Sequence, residues 1–221
     1  MRLCLYMVFL LLQSSTAHAS AWMREQGAWF ISSAMNIWSS MDTEEQRIFD
    51  PTFFAEYGLT SRVTIGVDYF SGALDTRHTA FVFSRFPLGD LDGPDRFSGG
   101  FGIGGETDLI TPIAPLLRGT LSWGRGLSRG WAAVDTSATY NRETEIWRPK
   151  ADFTWGYNLS DNWTVMSQVQ TGRGDDQSRY TNFSPSLIYT FNDNLRITLG
   201  GTQSLSNEDE STVRLSLWQT F

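Results

Sequence analysis

The dominant pattern along this chain is an alternation with period two. In RVTIGVDYF, Val63, Ile65, Val67 and Tyr69 share one face while Arg62, Thr64, Gly66 and Asp68 share the other. In IWRPKADFTWGY, Trp147, Ala151, Phe153, Trp155 and Tyr157 oppose Arg148, Lys150, Asp152 and Thr154. In PLLRGTLSW, Leu117, Leu121 and Trp123 oppose Arg118, Thr120 and Ser122. Period two is the signature of a β-strand with one apolar face. It recurs from end to end, with no helical stretch between. The breaks share a design as well. An aromatic or a glycine leads into a short polar turn, and a bulky residue, Leu59, Leu127, Leu159 or Phe191, marks the turn. Leu91 marks a looser fifth break in PLGDLDGPD.

Together with the connections between these turns, the pattern predicts twelve strands, over residues 26–38, 48–57, 62–71, 77–86, 97–106, 114–123, 130–141, 145–157, 162–172, 179–191, 195–205 and 211–221. Most reach the roughly 9–11 residues that a tilted strand needs to cross a bilayer. An even count with both ends of the chain on one side predicts an all-β fold, a closed antiparallel up-and-down transmembrane barrel. Boundaries in PLGDLDGPDRFSGG and ETDLITPIAP leave ten to fourteen strands open. A soluble sandwich competes, but its strands run nearer to five or six residues. The aromatics also cluster near strand ends. Trp29, Tyr57, Trp123, Trp131, Trp155, Trp163, Phe191 and Phe221 fall at one rim, and Trp38, Phe70, Tyr140, Trp147 and Tyr180 at the other. Aromatic rings favour the headgroup level of a membrane.

The first twenty residues differ in kind. Arg2 precedes ten apolar residues, Leu3 to Leu12, and Ala17-His18-Ala19 follows a polar stretch. That is the layout of a cleaved secretory signal, too short in its apolar part to span as a helix. The expected organisation is a signal peptide over 1–19 and a barrel domain over 20–221. The single cysteine, Cys4, leaves with the signal, so the mature chain has no thiol chemistry. The charge is −7, and loss of Arg2 makes it more negative. An acidic exported chain is not expected to bind nucleic acid.

The end of the chain, STVRLSLWQTF, carries Val213, Leu215, Leu217 and Phe221 on one face. It resembles the carboxy-terminal signature of Gram-negative outer-membrane barrels, a terminal phenylalanine preceded by alternating apolar residues. The chain departs from that signature at Gln219, and Trp218, one step out of register, is expected to compensate. The resemblance implies location in the cell outer membrane. It implies recognition of Val213, Leu215, Leu217 and Phe221 by the assembly machinery, and pairing of the last strand with the first. The YGLTSRVTIG turn also resembles turns in small outer-membrane channel families linked to aromatic-compound uptake. Barrels of this class keep both termini in the periplasm, which places DTEE, GDD and NEDE outside. Outer-membrane lipids and lipopolysaccharide are the expected surroundings. Divalent cations bridging acidic loops to lipid phosphates are an expectation for Asp42, Glu44, Glu45, Asp175, Asp176, Glu208, Asp209 and Glu210.

If the apolar faces meet lipid, the charged faces line the interior. The lumen candidates are Glu56, Arg62, Asp68, Arg118, Asp135, Arg148, Lys150, Asp152, Arg196 and Arg214, with Asn36, Gln168, Gln170, Asn182 and Ser184 as neutral neighbours. Charges are costly in hydrocarbon and tolerated where they pair or meet water. Twelve strands spaced about 4.8 Å apart and tilted near 40° put the backbone roughly 12 Å from the axis. Side chains then leave a narrow water path or none, and no insertion is long enough to form a plug domain. A passive pore or transport channel with a charged lumen is the first expectation. A structural envelope barrel whose ion pairs close the lumen is the second.

Other chemistry is tested and set aside. Gly100 to Gly105 fits GxGxxG, but a dinucleotide site needs that motif between a strand and a helix. Here Gly100, Gly102 and Gly104 share the inner face, leaving room for a bulky neighbour such as Phe54 or an arginine, or allowing sharp barrel curvature. His78 is the one histidine outside the leader. Its parity opposes Phe81 and Phe83, and with those rings toward lipid it points inward, which argues against a lipid-modifying enzyme. No catalytic residue, cofactor or metal is expected. The mostly short loops argue against a cell-surface interaction protein, and Arg173-Gly174-Asp175 is assigned no function.

Overall fold

The computed structural model describes residues 21–39, 48–72, 77–108, 110–206 and 211–221. The leader over 1–19 lies outside them, as do the loops holding Asp42, Glu44, Glu45, Glu208, Asp209 and Glu210. Twelve strands follow in chain order: β1 Trp29–Ser39, β2 Ile48–Thr60, β3 Val63–Gly72, β4 Arg77–Pro87, β5 Asp95–Thr107 and β6 Ala114–Leu127. The second half comprises β7 Gly130–Asn141, β8 Ile146–Asn158, β9 Trp163–Arg173, β10 Arg179–Asn192, β11 Leu195–Ser204 and β12 Ser211–Thr220. Every neighbouring pair is antiparallel, and β12 returns to β1 to close the barrel.

The count of twelve holds, and the largest boundary shift is in the glycine-rich turns. β6 runs on through Gly124-Arg125-Gly126 to Leu127, which faces Gly130 across a two-residue turn. Gly130 there has φ 139, a backbone shape that glycine takes without strain. At the other extreme, β1 starts three residues later than the alternation predicts, because the residues before Trp29 leave the sheet.

The outer surface reads as the pattern requires. Val82, Phe101, Ile103, Leu121, Leu199 and Leu215 are all more than half exposed along the mid-wall. A continuous apolar girdle of that kind far exceeds the few-hundred-Å² patches that water-soluble surfaces tolerate. Aromatic pairs edge it. Trp29 lies 4.7 Å from Tyr57 and Trp163 4.6 Å from Tyr189, at the rim that carries both described ends. Tyr140 lies 4.9 Å from Trp147 at the opposite rim.

Three rings expected in the girdles turn inward instead. Trp131 is buried inside the barrel, and Phe70 and Tyr180 line its cavity. Trp218 likewise packs inside, 6.2 Å from Phe30, so it does not compensate for Gln219 on the lipid side.

β4 is the one strand whose two faces are exchanged relative to expectation. In TAFVFSRF both parities are largely apolar, so alternation alone does not say which faces lipid. The neighbours decide. A Cβ on Gly66 would meet the Phe83 ring at 2.4 Å, and one on Gly104 would meet the Phe81 ring at 2.6 Å. Glycines on β3 and β5 thus hollow the inner face, and Phe81 and Phe83 fill it. Gly102 and Gly104 leave room for Phe81 and Phe83 in place of Phe54, whereas Gly100 faces Thr120. His78 accordingly lies on the outer face, where its Nδ1 is 2.9 Å from the Tyr69 hydroxyl.

Candidate functional site

The interior has two storeys. The storey near the chain ends is filled by the segment that precedes β1. Ala21 is buried inside the barrel. The Trp22 ring occupies the space a Cβ on Gly124 would take, coming within 2.4 Å of it. Trp22, Met166 and Trp218 pack on Trp131, Ala133 and Ile188. Gly156 makes room for Trp131 in the same way. The Arg24 N–H then donates to Thr64 Oγ1 at 3.1 Å. The chain turns at Glu25–Ala28, where the Gly27 N–H donates to the Gly58 carbonyl at 2.8 Å, and rises into β1. Residues 21–28 therefore occupy this end of the barrel from inside, without any inserted loop.

Glu56 anchors this plug. Arg24 Nη2 lies 2.6 Å from Glu56 Oε2, and Arg85 pairs with the other carboxylate oxygen. The Arg24 guanidinium also sits 4.4 Å from the centroid of Phe30. Glu56 is 1% exposed and Arg85 4%. A charge so deeply desolvated is tolerated only when it is paired.

The second storey is a cavity of about 570 Å³ toward the opposite rim. Phe54, Phe70, Phe81 and Phe83 form one side of it. Charged groups form the other side, and several of them are paired. Arg118 donates to Asp68 Oδ2 at 2.6 Å and lies 3.6 Å from the Phe81 centroid. Arg148 donates to Glu106 Oε2 at 2.9 Å and also pairs with Asp175, which Arg77 engages as well. Lys150 Nζ is 2.8 Å from Asp152 Oδ2. Asp135 is the direct cross-strand partner of Asp152.

Of the ten lumen candidates, the structure therefore brings Asp68, Arg118, Asp135, Arg148, Lys150 and Asp152 together around the cavity. Glu56 lies beneath them in the plug. Arg214 is inward on β12, donating to Asn36 Oδ1 at 3.3 Å, Thr52 Oγ1 at 3.2 Å and Ser216 Oγ at 3.2 Å. Arg196 is inward near the terminal rim, opposite Trp218. Arg62 is not in the lumen: it lies exposed in the turn between β2 and β3, one residue before the wall begins. The alternation of β3 begins only at Val63. Gln168 and Gln170 are inward as expected, bonded to Thr154 at 2.9 Å and to each other at 2.6 Å. Sequence reasoning missed Arg24, Arg85 and the phenylalanine wall. The inner-face glycines carried the signal for the last of these.

At the opposite rim, loop carboxylates hold their charge firmly. Hydrogen bonds from the Thr111 N–H, the Thr111 hydroxyl and the Ile110 N–H lower the Asp108 carboxyl to about 2. The Ser178 hydroxyl and N–H hold Asp176 below the usual carboxylate range. Among the described residues no group of acids, histidines or cysteines is placed to hold a metal ion.

The whole barrel matches solved structures across both partners' length. The KdgM porin, solved in complex with disordered oligogalacturonate, superposes with TM-score 0.66 at 8% identity, covering 87% of this chain and 99% of that one. The NanC porin gives TM-score 0.63 at 7% identity, covering 86% and 98%. The COG4313 outer-membrane channel from Pseudomonas putida F1 gives TM-score 0.62 at 11% identity, covering 95% and 98%. The fold is that of small Gram-negative outer-membrane barrels. These three are described as porins or channels. A family model described as "Putative MetA-pathway of phenol degradation" matches residues 115–218, just under half of the chain and spanning β6 to β12. No curated protein matches.

Proposed function

We propose that this protein is an outer-membrane channel for small solutes with an aromatic or apolar body, held shut at its periplasmic mouth in the present conformation. The observation that carries the reading is the cavity: four phenylalanines face a set of ion pairs in a space of about 570 Å³. Such a surface accepts a ring on one side and hydrogen-bonds a polar substituent on the other. Because Arg118, Arg148 and Lys150 each have an acidic partner, the site favours uncharged solutes over free ions. The matching family is described as belonging to phenol degradation, and the similar folds are channels; both support the reading. The leader over 1–19 is removed, on this view, because Ala21 already lies inside the barrel.

Uptake into liposomes carrying the refolded protein tests it. Phenol-sized neutral aromatics are expected to enter faster than sugars of equal mass. Arg118→Ala, which frees Asp68 and uncovers Phe81, should change aromatic uptake and shift residual ion current toward cations. Equal uptake of rings and sugars, unaffected by the substitution, would remove the cavity from the mechanism.

A second reading has its own observation. The buried Arg24–Glu56–Arg85 group and the tryptophan cluster close the lumen, as a purely structural barrel would. Conductance that stays absent even after the plug is deleted would favour that reading. The enzymatic reading gains a lipid-facing His78 but no nucleophile: Ser71 is its direct cross-strand partner, yet among the described residues the ring bonds Tyr69 instead. A phospholipase assay on the refolded protein is expected to show no turnover.

Orientation follows from the class of barrel, with the turns at Ser61 and Asp161 periplasmic and the loop holding Asp176 outside. Single cysteines at Asp176 and Thr144 should react with a membrane-impermeant thiol reagent on intact cells. Cysteines at Ser61 and Asp161 should react only after the outer membrane is opened. The reverse pattern would invert the barrel.

A further inference from the structure

Arg173 closes β9 and Arg179 opens β10, and the two are direct cross-strand partners at the rim away from the chain ends. Tyr180 faces inward, its hydroxyl 2.7 Å from where a Cβ on the opposing Gly172 would stand. The alternation therefore puts Arg173 and Arg179 on the outer face. Below them on that face come Thr171 and Thr181, then Val169 and Phe183 of the apolar girdle. Beside them is Trp147, more than half exposed, whose carbonyl accepts from Gln177 Nε2 at 3.3 Å.

Two like charges placed directly opposite destabilise a strand pair unless something neutralises them. Among the described residues nothing does. Asp175 in the connecting loop is engaged by Arg77 and Arg148, and Asp176 accepts from Ser178 at 2.6 Å and 2.9 Å. Among the described residues neither arginine has an acidic partner. The height is informative too, since polar cations directly above an apolar girdle and beside an aromatic ring stand where lipid headgroups begin. Guanidinium forks match phosphate oxygens with paired hydrogen bonds.

We propose that Arg173 and Arg179 form a binding site for the phosphate of an outer-leaflet lipid, with Trp147 beside its headgroup. The proposal rests on the outer-membrane reading and on the orientation given above. It also revises the view of this rim as an acidic surface needing divalent cations. Over β9 and β10 the protein supplies the positive charge itself. Arg173 additionally borders the mouth of the cavity, so capture of an anionic solute is the competing outcome.

The test uses refolded full-length mature protein in neutral detergent, with native mass spectrometry and thermal melting as readouts. Bisphosphorylated lipid A, its dephosphorylated form and inorganic phosphate are titrated in parallel. Wild type is expected to bind bisphosphorylated lipid A and to melt at higher temperature with it, while the dephosphorylated form has little effect. The Arg173→Gln/Arg179→Gln variant should bind at least tenfold more weakly, since each hydrogen bond to a charged group contributes on the order of a tenfold effect or more. Arg142→Gln, in a neighbouring turn, should bind as wild type. Matching heat-modifiable migration shows that both variants are folded. Equal binding by wild type and the double variant overturns the site, as does equal protection by inorganic phosphate alone. So does a change in anion current with lipid binding untouched, which would assign the arginines to the cavity mouth. Failure of the protein to insert into vesicles would remove the outer-membrane reading, whereas inserted protein indifferent to lipid A would remove only this site.

Discussion

Glu56→Ala is expected to cost the barrel about 3–5 kcal/mol and to raise its conductance, because it removes the carboxylate that two buried guanidiniums share. Arg24 and Arg85 both reach Glu56, one from the segment before β1 and one from β4. With the carboxylate gone, the side chain that can leave is Arg24. It belongs to a short segment held otherwise by the Trp22 contacts and a few backbone hydrogen bonds, whereas Arg85 is fixed in the wall. Expulsion of residues 21–27 would open the terminal storey to the cavity above it. Denaturant melts of the refolded protein measure the first effect and planar-bilayer current the second. Deleting residues 21–27 should reproduce the rise in current. A Glu56→Ala protein with wild-type stability and current would show that the buried triad neither holds the plug nor needs its acid. Glu56→Gln, which keeps the shape but not the charge, should fall between.

The wall of the barrel was legible in the sequence because a strand that separates lipid from a lumen has to alternate. Residues such as Val213, Leu215 and Leu217 carry that constraint openly. β4 was not legible in the same way. Phe81, Val82 and Phe83 offer apolar groups to both sides, and their direction is settled by Gly66, Gly102 and Gly104 on other strands. That information is non-local: it needs the register of β3 and β5 against β4 before it can be used. The plug was illegible for a different reason. Trp22 and Arg24 sit in a segment with no periodicity, and only closure of the barrel brings Gly124, Glu56 and Thr64 around them. The ion pairs lie between these cases. Each charge could be placed on the inner face from parity, but the pairing of Asp68 with Arg118, fifty residues apart in sequence, depends on how strands stack around the cavity. Trp131 and Trp218 show the limit of reading aromatic girdles by position alone. A tryptophan at a strand end can serve the membrane interface or fill the bore, and one step of parity decides which.

Deleting Phe221 is expected to lower the yield of assembled barrel sharply, and more than any change at Gln219. The last residue makes two backbone hydrogen bonds beyond β12: the Trp29 N–H donates to the Phe221 carbonyl at 3.0 Å, and the Phe221 N–H donates to the Trp29 carbonyl at 3.1 Å. These are the final rungs between the last strand and the first, so they close the seam where β1 begins. The ring itself is 65% exposed on the outer side, near Trp29 and Tyr57 in the terminal girdle. Deletion removes both contributions, while Phe221→Glu keeps the backbone rungs and replaces the ring with a charge at the membrane boundary. If the residue acts only through the seam, the glutamate variant should assemble nearly as well as wild type while the deletion fails. If the ring is also read by the assembly machinery, as we propose, both variants should accumulate outside the outer membrane, and refolding in detergent should rescue the glutamate variant alone. Gln219→Ala leaves the rungs and the ring in place and should assemble normally. Membrane fractionation with heat-modifiable gel migration separates these outcomes. Equal outer-membrane yields for wild type and the deletion would make the terminal phenylalanine incidental to both closure and targeting.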